Sequence, residues 1–171
     1  MSTKDSPVTQ SWKHWMLRRA VAFVVAAAAM VILGSAAHSY FVQQAWSRAA
    51  GLASGTAPAA IPFVDRVSWA AHDLFGMFMP YCAVTSIALF VAFVIAGGLV
   101  RLSGFREIVF GLAGASALCV VFTVMKSLLG TVGIFGARGP AGLAAQMAVG
   151  AVAGVLFARL TRPANLPLPA N

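Results

Sequence analysis

The sequence predicts an all-α membrane protein whose four transmembrane helices form one bundle. Of the 171 residues, 60% are hydrophobic and only 9% are charged, whereas about 25% of the residues of a soluble domain are charged. Four uncharged apolar runs are each long enough to cross the hydrocarbon core, for which a helix needs about 20 residues. The basic residues stand at the ends of these runs, where they would meet lipid headgroups.

The first helix is predicted over about residues 18–42, after a basic N-terminal segment of residues 1–17. Residues 20–37 carry no charge and follow Arg18 and Arg19. A cleavable signal peptide is the alternative, because it also combines basic residues, an apolar stretch and small residues. We favour the membrane anchor, since this apolar stretch is longer than that of a usual signal peptide.

An outer loop is predicted over residues 43–73. Residues 47–62 within it are mostly small, include glycine and proline, and lack a periodic apolar face, which is typical of a flexible loop. Residues 61–69 are predicted to form a short amphipathic helix on the membrane surface.

Three further uncharged runs predict the remaining helices. The second covers about residues 74–100, and the third covers about 108–130. The fourth covers about 140–159 and begins with a proline, which is favoured in the first turn of a helix. With the first helix they give a single transmembrane domain of residues 18–160. Residues 161–171 are rich in proline and are predicted to be a disordered tail.

The distribution of basic residues predicts that both termini are cytoplasmic. Four helices place the termini on one side of the membrane, and cytoplasmic segments carry an excess of Lys and Arg. With the termini inside, the outer segments hold four of the 12 basic residues: Arg48, Arg66, Lys126 and Arg138. The inner segments hold the other eight: Lys4, Lys13, Arg18, Arg19, Arg101, Arg106, Arg159 and Arg162. We therefore expect a multi-pass protein of a bacterial inner membrane.

A stripe of small residues on the fourth helix is predicted to be a packing face. It consists of Gly142, Gln146, Gly150 and Gly154, spaced by four, and includes a GxxxG motif. Such a stripe lets two backbones touch, either in a dimer or within one bundle. We favour the bundle, because alanine and glycine are abundant throughout the chain. The Gln146 amide is costly against lipid, so we expect it to face another helix.

Polar residues at the outer ends of the helices form a hypothetical site: Asp73, His72, Lys126 and Arg138. A carboxylate is favoured at a helix N-terminus, and a nearby opposite charge lowers the cost of burying it. We therefore predict a direct or water-bridged contact between Asp73 and Lys126, with Arg66 and Arg138 as competing partners. A structural ion pair is favoured, and a proton- or anion-handling site is the alternative.

The sequence predicts no enzyme, no cofactor and no metal site. It lacks the HExxH, GxSxG and phosphate-binding glycine motifs. Cys82 and Cys119 stand in apolar runs without CxxC spacing, which argues against a zinc site or a disulfide framework. His38 and His72 could serve as axial ligands of a haem, which makes an electron-transfer subunit a weak alternative. The net charge of +8 follows from membrane topology and does not indicate a nucleic-acid partner.

The leading hypothesis is a non-enzymatic integral membrane protein that acts through helix–helix association, as an accessory or partner-binding subunit. Its expected partners are the lipid bilayer and either a second copy or another membrane protein. The alternative is a small transporter, or a transporter subunit, that uses the polar site around Asp73 and Lys126.

Reporter fusions test the predicted topology. Fusions at Asn171 and in the loop of residues 101–107 should report the cytoplasm, and one near Gly55 should report the outer side, because the basic residues favour that orientation. The measurement is the activity of a reporter that works on only one side of the membrane. An outer signal at Asn171 would contradict the four-helix topology.

Overall fold

The computed structural model describes residues 7–58, 60–130 and 137–162. Within these residues the chain forms four helices and no strand: α1 (Pro7–Ser54), α2 (Phe63–Ser103), α3 (Arg106–Leu129) and α4 (Pro140–Leu160). Each helix is long and apolar enough to cross a membrane. The prediction of an all-α chain with four such helices is confirmed. The predicted disordered tail lies, from its third residue on, outside the described residues.

The first two helices are much longer than predicted. α1 has 48 residues and α2 has 41, which correspond to about 72 Å and 62 Å of helix. The predicted outer loop of residues 43–73, with its flexible stretch, is therefore wrong, because only residues 55–62 separate α1 from α2. The predicted surface helix of residues 61–69 is the start of α2, and α1 begins within the predicted segment 1–17.

Local sequence explains why α1 continues so far. Ala, Leu, Arg and Gln are good helix formers, and they dominate the stretch that follows the apolar run. Helical structure therefore persists until Gly55, whose φ of 66° lies in the left-handed region that commonly ends a helix. A hydropathy pattern marks the part of a helix that crosses the hydrocarbon, and here the helix extends well past that part.

The last two helices lie within two residues of their predicted bounds. α3 has 24 residues and α4 has 21. They give about 36 Å and 32 Å of helix, close to the ~30 Å thickness of the hydrocarbon core. Pro140 opens α4, and Gly130, with a φ of 69°, follows the last residue of α3.

Each helix packs mainly against two others: α1 against α2 and α4, and α3 against α2 and α4. The loop of residues 55–62 joins α1 to α2, and we call the side of the molecule that holds it the 55–62 end. The turn between α2 and α3 lies at the opposite side, which we call the arginine end because it holds Arg19, Arg101, Arg106 and Arg159.

The closest contact between two helices joins α3 and α4. Gly150 packs against the backbone of Gly114, and Gly154 packs against the carbonyl of Phe110. A Cβ atom on Gly154 would overlap that carbonyl, so glycine permits an approach that no larger residue allows. The small-residue stripe of α4 is thus used within the chain, and its members are all buried: Gly142, Gln146, Gly150 and Gly154.

At the arginine end, charged side chains hold the start of α3 against the end of α4. The Nε atom of Arg106 donates a hydrogen bond to the carbonyl of Ala158 at 3.1 Å. Because a cation is favoured at a helix C-terminus, Arg106 caps the last turn of α4. Glu107 forms an ion pair with Arg159 at 3.2 Å and another with Arg162.

Three phenylalanines, which we call the aromatic cluster, fill the interior toward the arginine end. Phe93 stacks on Phe157 with 4.7 Å between ring centroids, and Phe110 meets Phe93 edge-on at 5.5 Å. All three side chains are buried. Met30 and Leu118, which are fully buried, belong to the same apolar core.

Gly154→Ala should destabilise the protein by about 1–3 kcal/mol, because the added methyl group overlaps backbone atoms that cannot rotate away. The matched control is Gly76→Ala on α2, where an added Cβ meets nothing within 4 Å. Thermal unfolding of the purified protein in detergent measures both changes. Equal losses of stability in the two variants would contradict the close α3–α4 contact.

Candidate functional site

A stripe of polar side chains runs along the buried side of α1. We call it the polar stripe, and its members are all buried: Ser35, His38, Ser39 and Gln43. The two serines and the glutamine are spaced by four, so they lie one above another on the helix. The stripe covers about 12 Å of α1. Polar groups at this depth of a membrane helix are costly unless the protein supplies partners.

Asp73 of α2 meets the middle of the polar stripe. The hydroxyl of Ser39 donates a hydrogen bond to Oδ2 of Asp73 at 2.7 Å, and Ser39 is only 1% exposed. His38 is close enough for the charge of Asp73 to act on its imidazole. A hydrogen bond to a carboxylate is stronger than one between neutral groups. The contact therefore joins α1 to α2 and gathers a carboxylate, a hydroxyl and an imidazole in one place.

At the 55–62 end, the polar stripe opens into a cavity of about 290 Å³. Gln43 lines this cavity, and its Nε2 donates to the backbone carbonyl of Arg66 at 3.0 Å. The Nε of Arg66 in turn donates to the carbonyl of Ile61 at 3.0 Å. The remaining residues of the cavity wall are Tyr40, Gln44, Ser47, Arg48 and Pro58.

At its other end, the polar stripe approaches the side chain of Gln146. The Nε2 of Gln146 donates to the carbonyl of Gly34 at 2.9 Å, and its Oε1 accepts from the hydroxyl of Tyr81 at 2.8 Å. Gln146 is 1% exposed, so one buried amide ties α4 to both α1 and α2. A side chain on Gly34 would overlap the hydroxyl of Tyr81, which explains a glycine at this point.

Ser35 lies between the two hydrogen-bonded groups. It follows Gly34 directly and precedes Ser39 by one helical turn. Its hydroxyl is buried and has no hydrogen-bond partner among the described residues. A buried hydroxyl without a partner is unfavourable by about 1–3 kcal/mol and requires an explanation.

Apolar residues close the path toward the arginine end. On α1, Ala22, Ala26, Met30 and Val31 are buried where the polar residues stop. The aromatic cluster fills the space beside them. The polar stripe thus meets the cavity through Gln43 at the 55–62 end, and at its other end it stops at an apolar layer in the interior.

The structure does not gather the four residues of the predicted outer-face site. Asp73 faces α1 and binds Ser39, whereas Lys126 is exposed on α3, and the described residues hold no direct ion pair between the two; the water-bridged contact stays a prediction. The physical reason is the rotation of α2 about its own axis, which turns the face that carries Asp73 toward α1. His72 is exposed on α2, and Arg138 is exposed two residues before α4.

The two histidines that suggested a haem lie in different surroundings. His38 is buried in the polar stripe, and His72 is exposed. In the part of the chain that the structure describes, no group of three or more His, Cys, Asp or Glu side chains could hold a metal ion.

Sequence reasoning missed Ser35, Ser39, Gln43 and Tyr81 as members of the site. The signal that could have found three of them is their spacing of four inside a run that otherwise holds almost only apolar residues. The predicted boundary at residue 42 separates Ser39 from Gln43 and so hides the face that they share on the longer α1.

No protein family, curated protein or solved structure matches this chain. Function is therefore inferred from the residues and their geometry.

A double-mutant cycle tests the amide network. Gln146→Leu and Tyr81→Phe should each destabilise the protein, because each leaves a buried polar group without its partner. The double variant should lose less than the sum of the two, with a coupling on the order of 1 kcal/mol. The measurement is thermal unfolding in detergent.

The matched control for the cycle is Tyr40→Phe, which removes a tyrosine hydroxyl that bonds Gln44 at the exposed surface of α1. This change should alter stability by less than about 0.5 kcal/mol. Strict additivity in the cycle would show that the Tyr81–Gln146 bond contributes nothing.

Proposed function

We propose that this chain is a small transporter, or the membrane subunit of one, that carries protons through the polar stripe and Asp73. The observation that carries this proposal is the hydrogen bond from the buried Ser39 to the half-buried Asp73, next to His38. His38 lies within the candidate membrane span of α1, and ionisable residues inside membrane spans are rare and by default suggest function, since they are expensive to keep there. The chain is proposed to be non-enzymatic and to need no cofactor.

Protons are the favoured cargo because of the groups that meet at Asp73. Imidazole is the side chain whose charge changes nearest neutral pH, and a carboxylate is a group that can accept a proton and donate it again. The partnerless hydroxyl of Ser35, one turn further along α1, offers a polar group on the way inward. The cavity at the 55–62 end gives the stripe a polar entrance.

The apolar layer at the inner end of the polar stripe favours a transporter over an open pore. The apolar layer with the aromatic cluster separates the polar stripe from the arginine end. A proton bound at Asp73 would cross the membrane only if α1 and α2 move relative to each other. That movement would break the Ser39–Asp73 and Gln43–Arg66 hydrogen bonds. Rocking of packed helices around a fixed site is the usual way in which small carriers alternate access.

The hypothesis that the chain acts by association through α4 has less support than the hypothesis of transport. The glycine stripe that suggested self-association is buried against α3 within the same chain. A role as an accessory or partner-binding subunit therefore loses its main positive observation, although a transporter subunit would still need partners.

The proposed setting is a bacterial inner membrane, with the four helices in one bundle and both termini in the cytoplasm. Eight of the 12 basic residues then lie inside, as the positive-inside rule favours. In this orientation the 55–62 end faces outward, and the polar stripe takes up protons from the outer side.

Proton flux into proteoliposomes tests the proposal. A potassium gradient with valinomycin drives protons, and an enclosed pH-sensitive dye reports them. The wild-type protein should carry flux above that of empty vesicles. Asp73→Asn should lower it at least about tenfold, which equals about 1.4 kcal/mol in the barrier, because the amide cannot bind the proton.

The control is Asp65→Asn, which removes an exposed carboxylate in the first turn of the same helix. It should leave the flux unchanged. Wild-type flux equal to that of empty vesicles, or an equal loss in the two variants, would refute the role of Asp73. Unfolding temperatures of all samples show that each variant is folded.

A further inference from the structure

A second cavity, of about 830 Å³, lies between α1 and α2 at the arginine end. We call it the α1–α2 groove. The aromatic cluster forms its floor, while Phe23 of α1 and Gly97 of α2 belong to its walls. Its rim carries three arginines: Arg19, Arg101 and Arg106. The volume lies in the range of about 300–1,000 Å³ that is typical of ligand sites.

The length of the α1–α2 groove matches one leaflet of a bilayer. On α2 its lining runs from Phe90 to Arg101, about 16 Å along the helix. This is about half of the ~30 Å hydrocarbon core. The apolar lining would therefore lie at the depth of acyl chains, and the arginine rim at the depth of headgroups.

The rim holds an excess of positive charge. Arg19 is close enough to Arg101 and to Arg106 for their like charges to oppose one another. The guanidinium of Arg19 lies over the ring of Trp15 at 3.9 Å, which fixes it in place without neutralising it. Glu107, the acidic side chain described at this end, pairs instead with residues at the end of α4. An anion at the rim would relieve the repulsion.

We propose that the α1–α2 groove binds an anionic phospholipid of the surrounding leaflet. Its phosphate lies between Arg19 and Arg101, and one acyl chain lies along the groove on the aromatic cluster. Guanidinium groups suit phosphate because their donors form a planar fork, and clustered arginines at a membrane surface attract anionic lipids. This inference does not depend on proton transport, since it concerns the opposite end of the molecule.

Native mass spectrometry of the full chain in detergent tests the proposal. The protein is titrated with phosphatidylglycerol or with phosphatidylcholine of the same acyl chains, and the bound lipid is counted. Phosphatidylglycerol should bind at least about fivefold more tightly, and Arg101→Gln should reduce that preference by about fivefold. Gly97→Leu should weaken binding of both lipids, because its side chain enters open groove space without a clash.

Lys126→Gln is the matched control, since it removes an exposed positive charge in the last turn of α3, at the end of that helix away from the groove. It should leave the lipid preference unchanged. Equal binding of the two lipids, or an equal effect of Lys126→Gln and Arg101→Gln, would overturn the proposed site. Unchanged binding in Gly97→Leu, or displacement of the lipid by an equal concentration of inorganic phosphate, would overturn the role of the acyl chain.

Discussion

The constraint on which this structure depends is that a polar group inside the hydrocarbon layer must find its partner within the protein. Backbone groups satisfy it by helix formation, and side chains satisfy it by helix packing. Gln146 shows the second case, because its amide bonds α1 through Gly34 and α2 through Tyr81. Gly34 leaves the space that these bonds need, while Gly150 and Gly154 permit the close approach of α4 to α3. Polar side chains and small residues therefore act together in setting the helix arrangement.

Hydropathy is enough to place α3 and α4, because their ends coincide with the ends of their uncharged runs. It is not enough for α1 and α2, which remain helical beyond their uncharged runs in a more polar setting. Hydropathy also gives the depth of a residue without giving the direction in which its side chain points. Asp73 and Lys126 both end uncharged runs, yet Asp73 faces α1 and Lys126 is exposed. A pairing based on depth alone could not distinguish these cases.

The polar stripe is visible in the sequence only as a periodicity. Serine is small enough to occur in any membrane helix, so Ser35 and Ser39 do not stand out from the apolar run around them. Their spacing of four, continued by Gln43, indicates a shared face. The partner of that face could not be read from the sequence, because it depends on how α2 is rotated about its axis. Asp73 and Tyr81 lie at different positions along α2. Helix packing brings Asp73 to Ser39 of α1 and Tyr81 to Gln146 of α4.

The chemistry of the Gln146 amide has a further consequence. A carboxylate, an imidazole or a hydroxyl can accept one proton and pass on another, but a side-chain amide has no proton that it readily loses and no basic nitrogen. The line of hydrogen bonds from Tyr81 through Gln146 to Gly34 is continuous, but it cannot conduct protons because the amide interrupts proton transfer. These bonds hold α1, α2 and α4 together at the inner end of the polar stripe and do not form a proton relay. In the proposed transporter, this chain of bonds would give protons no route inward from Asp73 while the helices stay in this arrangement.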